Sequence, residues 1–282
     1  MKVTTISFFR FEGLWNRFWA FVQVQLSKGR LRRQPGVVFG KIMGTGTGEG
    51  FHPWPNFSVY AVLATWESWE AARQGLEHGA LHQSYERHAS EGWHVYLSAV
   101  RATGSWDREK PFPIGRPIDG AIRRPLGILT RASIGWRHVL AFWRSVPRIS
   151  ASVADRPGLR FKIGMGESPV FHLTTFSIWD SQRVMRCFAY ENGPHRDGML
   201  AARRRGWFAE DLFARFEVLD SVGTFQGRDP LAASLTALPS SCAGPEPVTS
   251  PALAAASSLS GASLPEPLPS ARSQGSAGVC DE

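Results

Sequence analysis

The chain contains one long internal repeat, and this repeat restricts the folds that are open to it. Residues 35–44 run from Pro-Gly through Phe and Lys-Ile to Met-Gly, and residues 157–166 follow the same order, with one residue fewer before Lys-Ile. Each copy continues to a Glu (Glu49, Glu167) and then to an alternating apolar run that ends in Trp, an acidic residue and Ser. A single duplication of this length predicts two copies of one small domain packed against each other. We expect a ligand at the interface between them.

Hydrophobic periodicity predicts the same order of elements in both copies. The strands predicted in the first copy are residues 3–9, 37–43, 57–65 and 93–100. Those predicted in the second copy are residues 126–130, 159–165, 172–179 and 213–219. With one helix after the first strand and one after the third, the order β-α-β-β-α-β is the ferredoxin-like pattern. We therefore predict an α+β fold in which tandem ferredoxin-like repeats pack as an intramolecular dimeric α+β barrel.

The second helix of each copy differs in one respect. In the first copy a single helix is predicted over residues 69–88, with Ser68 as its N-cap. In the second copy Gly193 and Pro194 interrupt the helical pattern, and His195 follows directly. Counting without gaps from Trp66 and Trp179 places His82 opposite His195.

Composition predicts where the domains end. We expect a first repeat over residues 1–108, a Pro-rich linker over 109–125 and a second repeat over 126–230. Residues 231–282 consist mainly of Ala, Ser and Pro, which bury too little apolar surface to offset chain entropy, so we predict a disordered tail.

The charge of the chain indicates an acidic partner. The formal net charge is +8, and the predicted tail carries −3, which leaves +11 on the part expected to fold. A basic body suits anionic lipid headgroups, nucleic acid or an acidic redox protein. The three cysteines show no metal-ligand spacing, and there is no run of eighteen apolar residues. No signal-peptide pattern precedes the first strand, so we expect an intracellular protein that is soluble or peripheral to a membrane.

The aromatic residues of the first helix leave two interpretations open. Leu14, Trp15, Phe18, Trp19 and Phe21 fall near helical spacing, and a basic run follows them directly. That run contains Lys28, Arg30, Arg32 and Arg33. Aromatics beside a basic run resemble an interfacial membrane helix. The alternative is an ordinary helix that buries one aromatic face against the sheet and exposes its charged end.

Several catalytic patterns have little support in the sequence. The glycine-rich run at residues 44–50 lacks the Lys-Ser/Thr ending of a phosphate-binding loop, so we interpret it as a hairpin loop at the rim of a pocket. No nucleophile elbow indicates a Ser-His-Asp hydrolase. The paired carboxylates Glu210 and Asp211 are interpreted as a solvated helix or turn face.

Motifs from both copies together resemble one known family. They are residues 6–11, 44–51, 161–167, 206–208 and 223–231. In these segments the chain is similar to the spheroidene monooxygenases of purple photosynthetic bacteria. The resemblance extends from the start of the chain to about residue 231, and residues 232–282 have no counterpart in it.

The resemblance implies a haem-dependent, ferredoxin-linked carotenoid monooxygenase. It would oxidise C-2 of an acyclic carotenoid to a ketone, as in the conversion of spheroidene to spheroidenone, with O2 as co-substrate and reduced ferredoxin as electron donor. The expected location is the cytoplasm, either free or in peripheral contact with the inner or photosynthetic membrane, and no nucleic-acid partner is implied.

The resemblance also suggests cofactor-binding residues in the two repeats. By analogy with haem enzymes built on dimeric α+β barrels, the second repeat is the expected haem-binding half, with His195 as the iron ligand and His172 as the reserve. Lys41 and Lys162 are expected near the haem propionates, and no catalytic residue is assigned. Two other functions stay open: a cofactor-independent monooxygenase of the antibiotic-biosynthesis type, and a non-catalytic barrel that binds a hydrophobic ligand.

Overall fold

In the computed structural model, eight antiparallel strands form a closed barrel. The structure describes residues 1–47, 54–115, 125–139, 144, 158–168, 170–181, 185 and 206–232. The chain divides into two units, Met1–Cys242 and Ala243–Glu282, and all described residues belong to the first. The predicted α+β barrel is confirmed at the level of this closed antiparallel sheet with helices outside it.

The strands follow the predicted order, and the helices predicted in the second repeat lie largely outside the described residues. The strands are β1 (Val3–Arg10), β2 (Val37–Gly46), β3 (Pro55–Trp66), β4 (Glu91–Gly104), β5 (Leu126–Ile134), β6 (Leu159–Ser168), β7 (His172–Trp179) and β8 (Phe208–Gly223). The helices are α1 (Leu14–Leu26), α2 (Lys28–Arg32), α3 (Trp69–His78) and α4 (Ala80–His88), with a short 3-10 helix at Trp136–His138. Each predicted strand matches an observed one, and β8 is much longer than predicted.

The barrel closes through two seams of different length. Around the barrel the strands run β1-β3-β2-β6-β7-β5-β8-β4, so strands β1–β4 are contiguous and meet β5–β8 at β2–β6 and at β4–β8. The β4–β8 seam extends from the Trp93–Gly223 pair to the Gly104–Leu212 pair. The β2–β6 seam contains only the pairs Gly44–Gly166 and Thr45–Met165 among the described residues.

Strand alternation divides the core into an inner and an outer layer. The barrel interior is filled by side chains from all eight strands, including Phe8, Phe39, Trp93, Phe161, Phe176 and Phe216. The outer layer lies between β1–β4 and the four helices, and includes Phe9, Phe11, Trp66, Tyr60 and Tyr85. The interior is therefore a packed core.

The prediction of one helix over residues 69–88 is wrong, because Gly79 separates α3 from α4. Gly79 has extended dihedrals, φ −66° and ψ 128°, and ends α3 after 10 residues. A Cβ at Gly79 would collide with the Gly75 carbonyl oxygen and with the Gln34 amide, and Gln34 Nε2 donates to that same carbonyl at 2.9 Å. The predicted N-cap is confirmed, since Ser68 Oγ accepts from the Ala71 N–H at 3.1 Å.

Strands β4 and β8 each end in a tight turn that folds back over one end of the barrel. We call residues 105–109 the Trp106 turn and residues 224–228 the Phe225 turn. In each, an isolated bridge closes the turn, between Trp106 and Glu109 or between Phe225 and Arg228. The central residues adopt positive φ angles in both, which is typical of two-residue hairpin turns.

Candidate functional site

A pocket of about 210 Å³ lies at the short β2–β6 seam. Helix α1 contributes Phe21 and Val24 to one wall, and the start of β3 contributes Phe57 to another. Glycines of β2 and β6, including the ladder partners Gly44 and Gly166, also line the pocket. The pocket therefore lies where the two sets of four strands meet.

The two paired glycines serve different purposes. A Cβ at Gly44 would approach only the Tyr60 ring, at 4.0 Å, so the missing side chain leaves open space. A Cβ at Gly166 would collide with the carbonyl oxygen of His172. Gly166 is therefore required by the close approach of the β7 backbone, whereas Gly44 leaves room for the pocket.

The pocket wall is mainly apolar and joins the two core layers. Met165 belongs to the barrel interior and Tyr60 to the layer beneath the helices, and both line the pocket. The Tyr60 hydroxyl is buried without a hydrogen-bond partner in the structure described. Burial raises the pKa of Tyr60 to about 12, so the hydroxyl keeps its proton.

Glu167 is the charged residue that lines the pocket, and its carboxylate is held on several sides. Trp106 Nε1–H donates to Glu167 Oε1 at 2.7 Å, and Lys41 Nζ donates to Oε2 at 2.8 Å. The Arg131 guanidinium lies 3.9 Å from the same carboxylate. These contacts fix the orientation of Glu167 at the pocket.

Glu167 belongs to a larger group of charges, which we call the ion cluster: Lys41, Asp107, Arg131, Glu167 and Glu210. Arg131, whose side chain is 1% exposed, pairs with Glu210 and, at 3.3 Å, with Asp107. Lys41 pairs with Asp107 as well as Glu167. A buried guanidinium is destabilising unless it has partners. Here three carboxylates surround the buried Arg131 and the half-buried Lys41.

Glu210 fixes the Trp106 turn rather than facing the pocket. Its carboxylate accepts from Ser105 Oγ at 2.7 Å and from the backbone N–H groups of Asp107 and Arg108 at 3.0 and 2.8 Å. Burial alone would raise the pKa of Glu210, but these hydrogen bonds and the one from Arg131 outweigh it and hold the pKa at about 2. The interpretation of Glu210 as part of a solvated face is therefore wrong.

The structure separates the two lysines that the sequence suggested. Lys41 lies in the ion cluster. Lys162 alternates along β6 with Phe161 and Ile163, which face the interior, so it lies on the outer face of the barrel wall. The register explains this, because Phe39 and Phe161 occupy matching ladder positions and the Lys is one residue out of phase between the copies. The two lysines do not converge on one pocket.

Of the two candidate haem ligands, only His172 is described. It begins β7, is half-buried and pairs with Ser168, while its neighbour Leu173 lines the pocket. His195 lies outside the described residues, as does the predicted helix break before it. His82 is fully buried near Phe9 and Trp66, where burial and then His94 lower its pKa to about 3.

The described residues do not themselves build a haem site. Drug-sized ligands occupy pockets of about 300–1,000 Å³, so the seam pocket is too small for a haem, and side chains fill the interior of the barrel. No group of three His, Cys, Asp or Glu side chains in the described part of the chain is arranged to hold a metal ion. None of the described helices is long and apolar enough to span a bilayer.

Sequence reasoning missed Arg131, Trp106 and Glu210. One signal was available for Arg131, since a lone Arg in the middle of an apolar strand pattern requires a buried partner. The repeat marked Glu167, because a Glu follows both copies of the Met-Gly motif. Nothing in the local sequence around Glu210 distinguishes it from a solvated carboxylate.

Comparison with known proteins gives close relatives for most of the chain. A spheroidene monooxygenase from Rhodobacter capsulatus is 39% identical over 83% of this chain and 98% of its own length. One from Cereibacter sphaeroides is 37% identical over 90% of this chain and 78% of its own length. A third, from Rubrivivax gelatinosus, is 32% identical over 75% of this chain and 80% of its own length. No family model matches the chain.

Solved structures give more distant matches. An aldoxime dehydratase in complex with butyraldoxime is 10% identical over 78% of this chain and 80% of its own, with a TM-score of 0.48. A monooxygenase-like protein from Listeria innocua is 11% identical over 75% of this chain and 93% of its own, with a TM-score of 0.26.

Proposed function

Since the chain belongs to the spheroidene monooxygenase family, we propose that it is a carotenoid monooxygenase and that the seam pocket receives one end of its substrate. The observation that carries this proposal is the 39% identity to the Rhodobacter capsulatus enzyme, which covers 98% of that enzyme's length. The apolar, aromatic wall of the pocket is compatible with a polyene.

The proposed reaction oxidises C-2 of an acyclic carotenoid to a ketone. In each round one O2, two electrons and two protons convert a C–H bond into C–OH and release one water. A second round at the same carbon gives a geminal diol, which loses water to form the ketone. The net change in the substrate is a gain of one oxygen and a loss of two hydrogens.

We assign the pocket residues roles in binding and orientation. Phe21, Phe57 and Met165 contact the hydrocarbon, because they form its apolar wall. The Tyr60 ring lies beside Gly44 and contacts the same hydrocarbon. Glu167, whose orientation is fixed by Trp106 and Lys41, forms the charged part of the pocket wall.

The proposal includes haem as the group that activates O2 and reduced ferredoxin as the electron donor. Their support is the family resemblance, together with the position of His195 after Gly193-Pro194. When bound, haem would supply the activation of O2. We propose His195 as its iron ligand and His172 as the reserve.

We further propose that the two sets of four strands are tandem ferredoxin-like repeats packed as an intramolecular dimeric α+β barrel. The matched Trp106 and Phe225 turns support this arrangement, because they follow corresponding strands and have corresponding positive φ angles.

Pigment analysis in a host that accumulates an acyclic methoxylated carotenoid tests the reaction. We expect a product with one more oxygen and two fewer hydrogens. Gly44→Leu should fill the pocket and abolish this product at unchanged protein level, since a side chain there meets little else. Gly29→Leu, also a substitution into open space but on α2, is the matched control and should retain it. Equal product from both variants would contradict the assignment of the pocket.

Absorption spectroscopy tests the cofactor. The purified protein should show a Soret band that His195→Ala removes, and persistence of that band would shift the assignment to His172. A protein that binds carotenoid but takes up no haemin would be a non-catalytic barrel. Turnover without haem or ferredoxin would identify a cofactor-independent monooxygenase.

A further inference from the structure

Helix α1 presents an apolar face to solvent. Leu14 is 86% exposed, Trp15 74%, Phe18 59% and Phe21 53%. A helix at the surface of a globular protein normally turns its apolar face to the core. In α1 a separate face does so, through the buried residues Ala20 and Val24, so the exposed aromatics form a second apolar face.

The exposed face of α1 continues onto the start of β3. Trp54 is 69% exposed and Phe57 50% exposed, and the rings of Phe21 and Phe57 meet edge to face with centroids 5.8 Å apart. We call Leu14, Trp15, Phe18, Phe21, Trp54 and Phe57 the aromatic patch. Exposed apolar patches of several large side chains mark surfaces that bind proteins or membranes.

The charged residues of helices α1 and α2 are all cations. Between Gly13 and Gly36 the sequence has five cations and no carboxylate: Arg17, Lys28, Arg30, Arg32 and Arg33. Arg32 pairs with Glu109 across the molecule at 3.2 Å, with both side chains largely exposed. Aromatic rings together with lysines and arginines match the interface of a bilayer that contains anionic lipids.

The pocket adjoins the aromatic patch. Phe21 and Phe57 belong to the patch and also line the pocket. At about 210 Å³ the pocket holds only the end of a long apolar ligand, so the rest of that ligand requires apolar surroundings outside it. A bilayer against the patch supplies them.

We propose that α1 and the start of β3 dock on an anionic phospholipid bilayer, and that a lipophilic substrate passes from the acyl chains into the seam pocket beside the packed rings of Phe21 and Phe57. The docking is inferred from the aromatic patch and the neighbouring cations alone. The route of entry rests on the proposed function.

Vesicle sedimentation with the full chain tests the docking. Binding should be strong to vesicles of phosphatidylcholine with phosphatidylglycerol, weak to phosphatidylcholine alone, and lowered by salt. Trp15→Ser and Phe18→Ser should each weaken binding about tenfold, because each removes a large apolar side chain from the interface. Trp136→Ser is the matched control, since Trp136 is 73% exposed on another element, and it should leave binding unchanged.

Equal losses for Trp15→Ser and Trp136→Ser, or no binding to either vesicle, would overturn the docking. A concentration-dependent dimer that Trp15→Ser abolishes would assign the patch to a second copy of the chain instead.

Turnover assays separate the route of entry from the reaction. With carotenoid in vesicles, Trp15→Ser should raise KM with little change in kcat. With detergent-dispersed carotenoid it should match the wild-type protein. Equal kinetics of both proteins on vesicle-embedded carotenoid would overturn the route. No turnover of the wild-type protein in either form, with vesicle binding intact, would contradict the proposed function and leave the docking standing.

Discussion

The two ends of the barrel are closed by turns of the same shape but by different chemistry. At one end Glu210 holds the Trp106 turn, through a hydroxyl and two backbone N–H groups. At the other Glu91 holds the Phe225 turn through Thr224 Oγ1 and the N–H groups of Gln226 and Gly227. A carboxylate supports the turn at both ends, whereas the side chains beneath the two turns differ in kind.

The contrast is clearest at one pair of matched positions. Arg131 on β5 pairs with Leu212, and Phe8 on β1 pairs with Trp93, at corresponding places beneath the two turns. Arg131 joins the ion cluster. Phe8 packs in an aromatic group, with ring centroids 5.1 Å from Phe161, 5.7 Å from Trp93 and 6.0 Å from Phe225.

This contrast separates the closing of the barrel, which both ends achieve, from contact with the pocket, which only one end makes. Either rings or charges can close an end of this barrel, because the backbone of the turn is held by a carboxylate in both cases. Only the charged end reaches the pocket, through Glu167. We infer that the aromatic end contributes to stability, and that the charged end also shapes the candidate site.

The largest expected effect comes from replacing the central side chain at each end of the barrel. Arg131→Met should lower the free energy of unfolding by about 3–5 kcal/mol, because it leaves three carboxylates with Lys41 as their remaining cation. Phe8→Leu should cost about 1.5 kcal/mol, as a modest loss of volume in an apolar core. Denaturant unfolding measures both, and equal costs would remove the distinction between the ends.

Acid should act mainly at the charged end. The pKa of Glu210 is about 2 in the folded protein and 4.5 otherwise, so its contribution is fully present above pH 4.5 and is lost as the pH falls toward 2. By linkage this amounts to at most about 3 kcal/mol, because solvent screens the part of the carboxylate that is exposed. Unfolding midpoints at pH 7 and pH 3 should differ less in Glu210→Gln than in the wild-type protein. An unchanged pH dependence in that variant would contradict the assignment.

The paired glycines at the seam should respond unequally. Gly166→Ala should cost about 2 kcal/mol, because its Cβ meets the His172 carbonyl oxygen. Gly44→Ala should change stability by no more than about 0.5 kcal/mol, because its Cβ enters the pocket. Thermal unfolding of the two variants measures the difference, and the reverse order would place the open space on β6 instead.

The smallest effect is expected at the carboxylate of the aromatic end. Glu91→Ala should cost about 1 kcal/mol, since its hydrogen bonds are exposed and no buried cation depends on it. Glu210→Ala should cost about three times as much, because the buried Arg131 then loses one of its three carboxylate partners and the Trp106 turn loses its acceptor. Similar costs in chemical denaturation would show that the Arg131–Glu210 pair adds little.

The sequence sufficed for the strands of the barrel. Period-two patterns and the repeat located all eight strands, and the motif around Gly166 and Glu167 fell on the pocket. The break at Gly79 was missed because its cause, the Gln34 amide, is distant in sequence. The two lysines appeared equivalent because a one-residue offset in a strand reverses the face of a side chain.

Arg131 and Glu210 show a second limit. A carboxylate on a strand end is solvated in most proteins, and only the pairing of β5 with β8 brings Glu210 to the guanidinium. The partner of a buried charge is set by the tertiary structure, so local pattern alone does not identify it.

The unequal length of the two seams gives the barrel one side closed by a long ladder and one side closed by a short ladder. Separating β4 from β8 would break a long ladder, whereas separating β2 from β6 breaks the hydrogen bonds around two residue pairs in the described structure. Local opening follows the line with the fewest such bonds. A ligand at Gly44 therefore lies where the fewest backbone hydrogen bonds would have to break for the barrel wall to open.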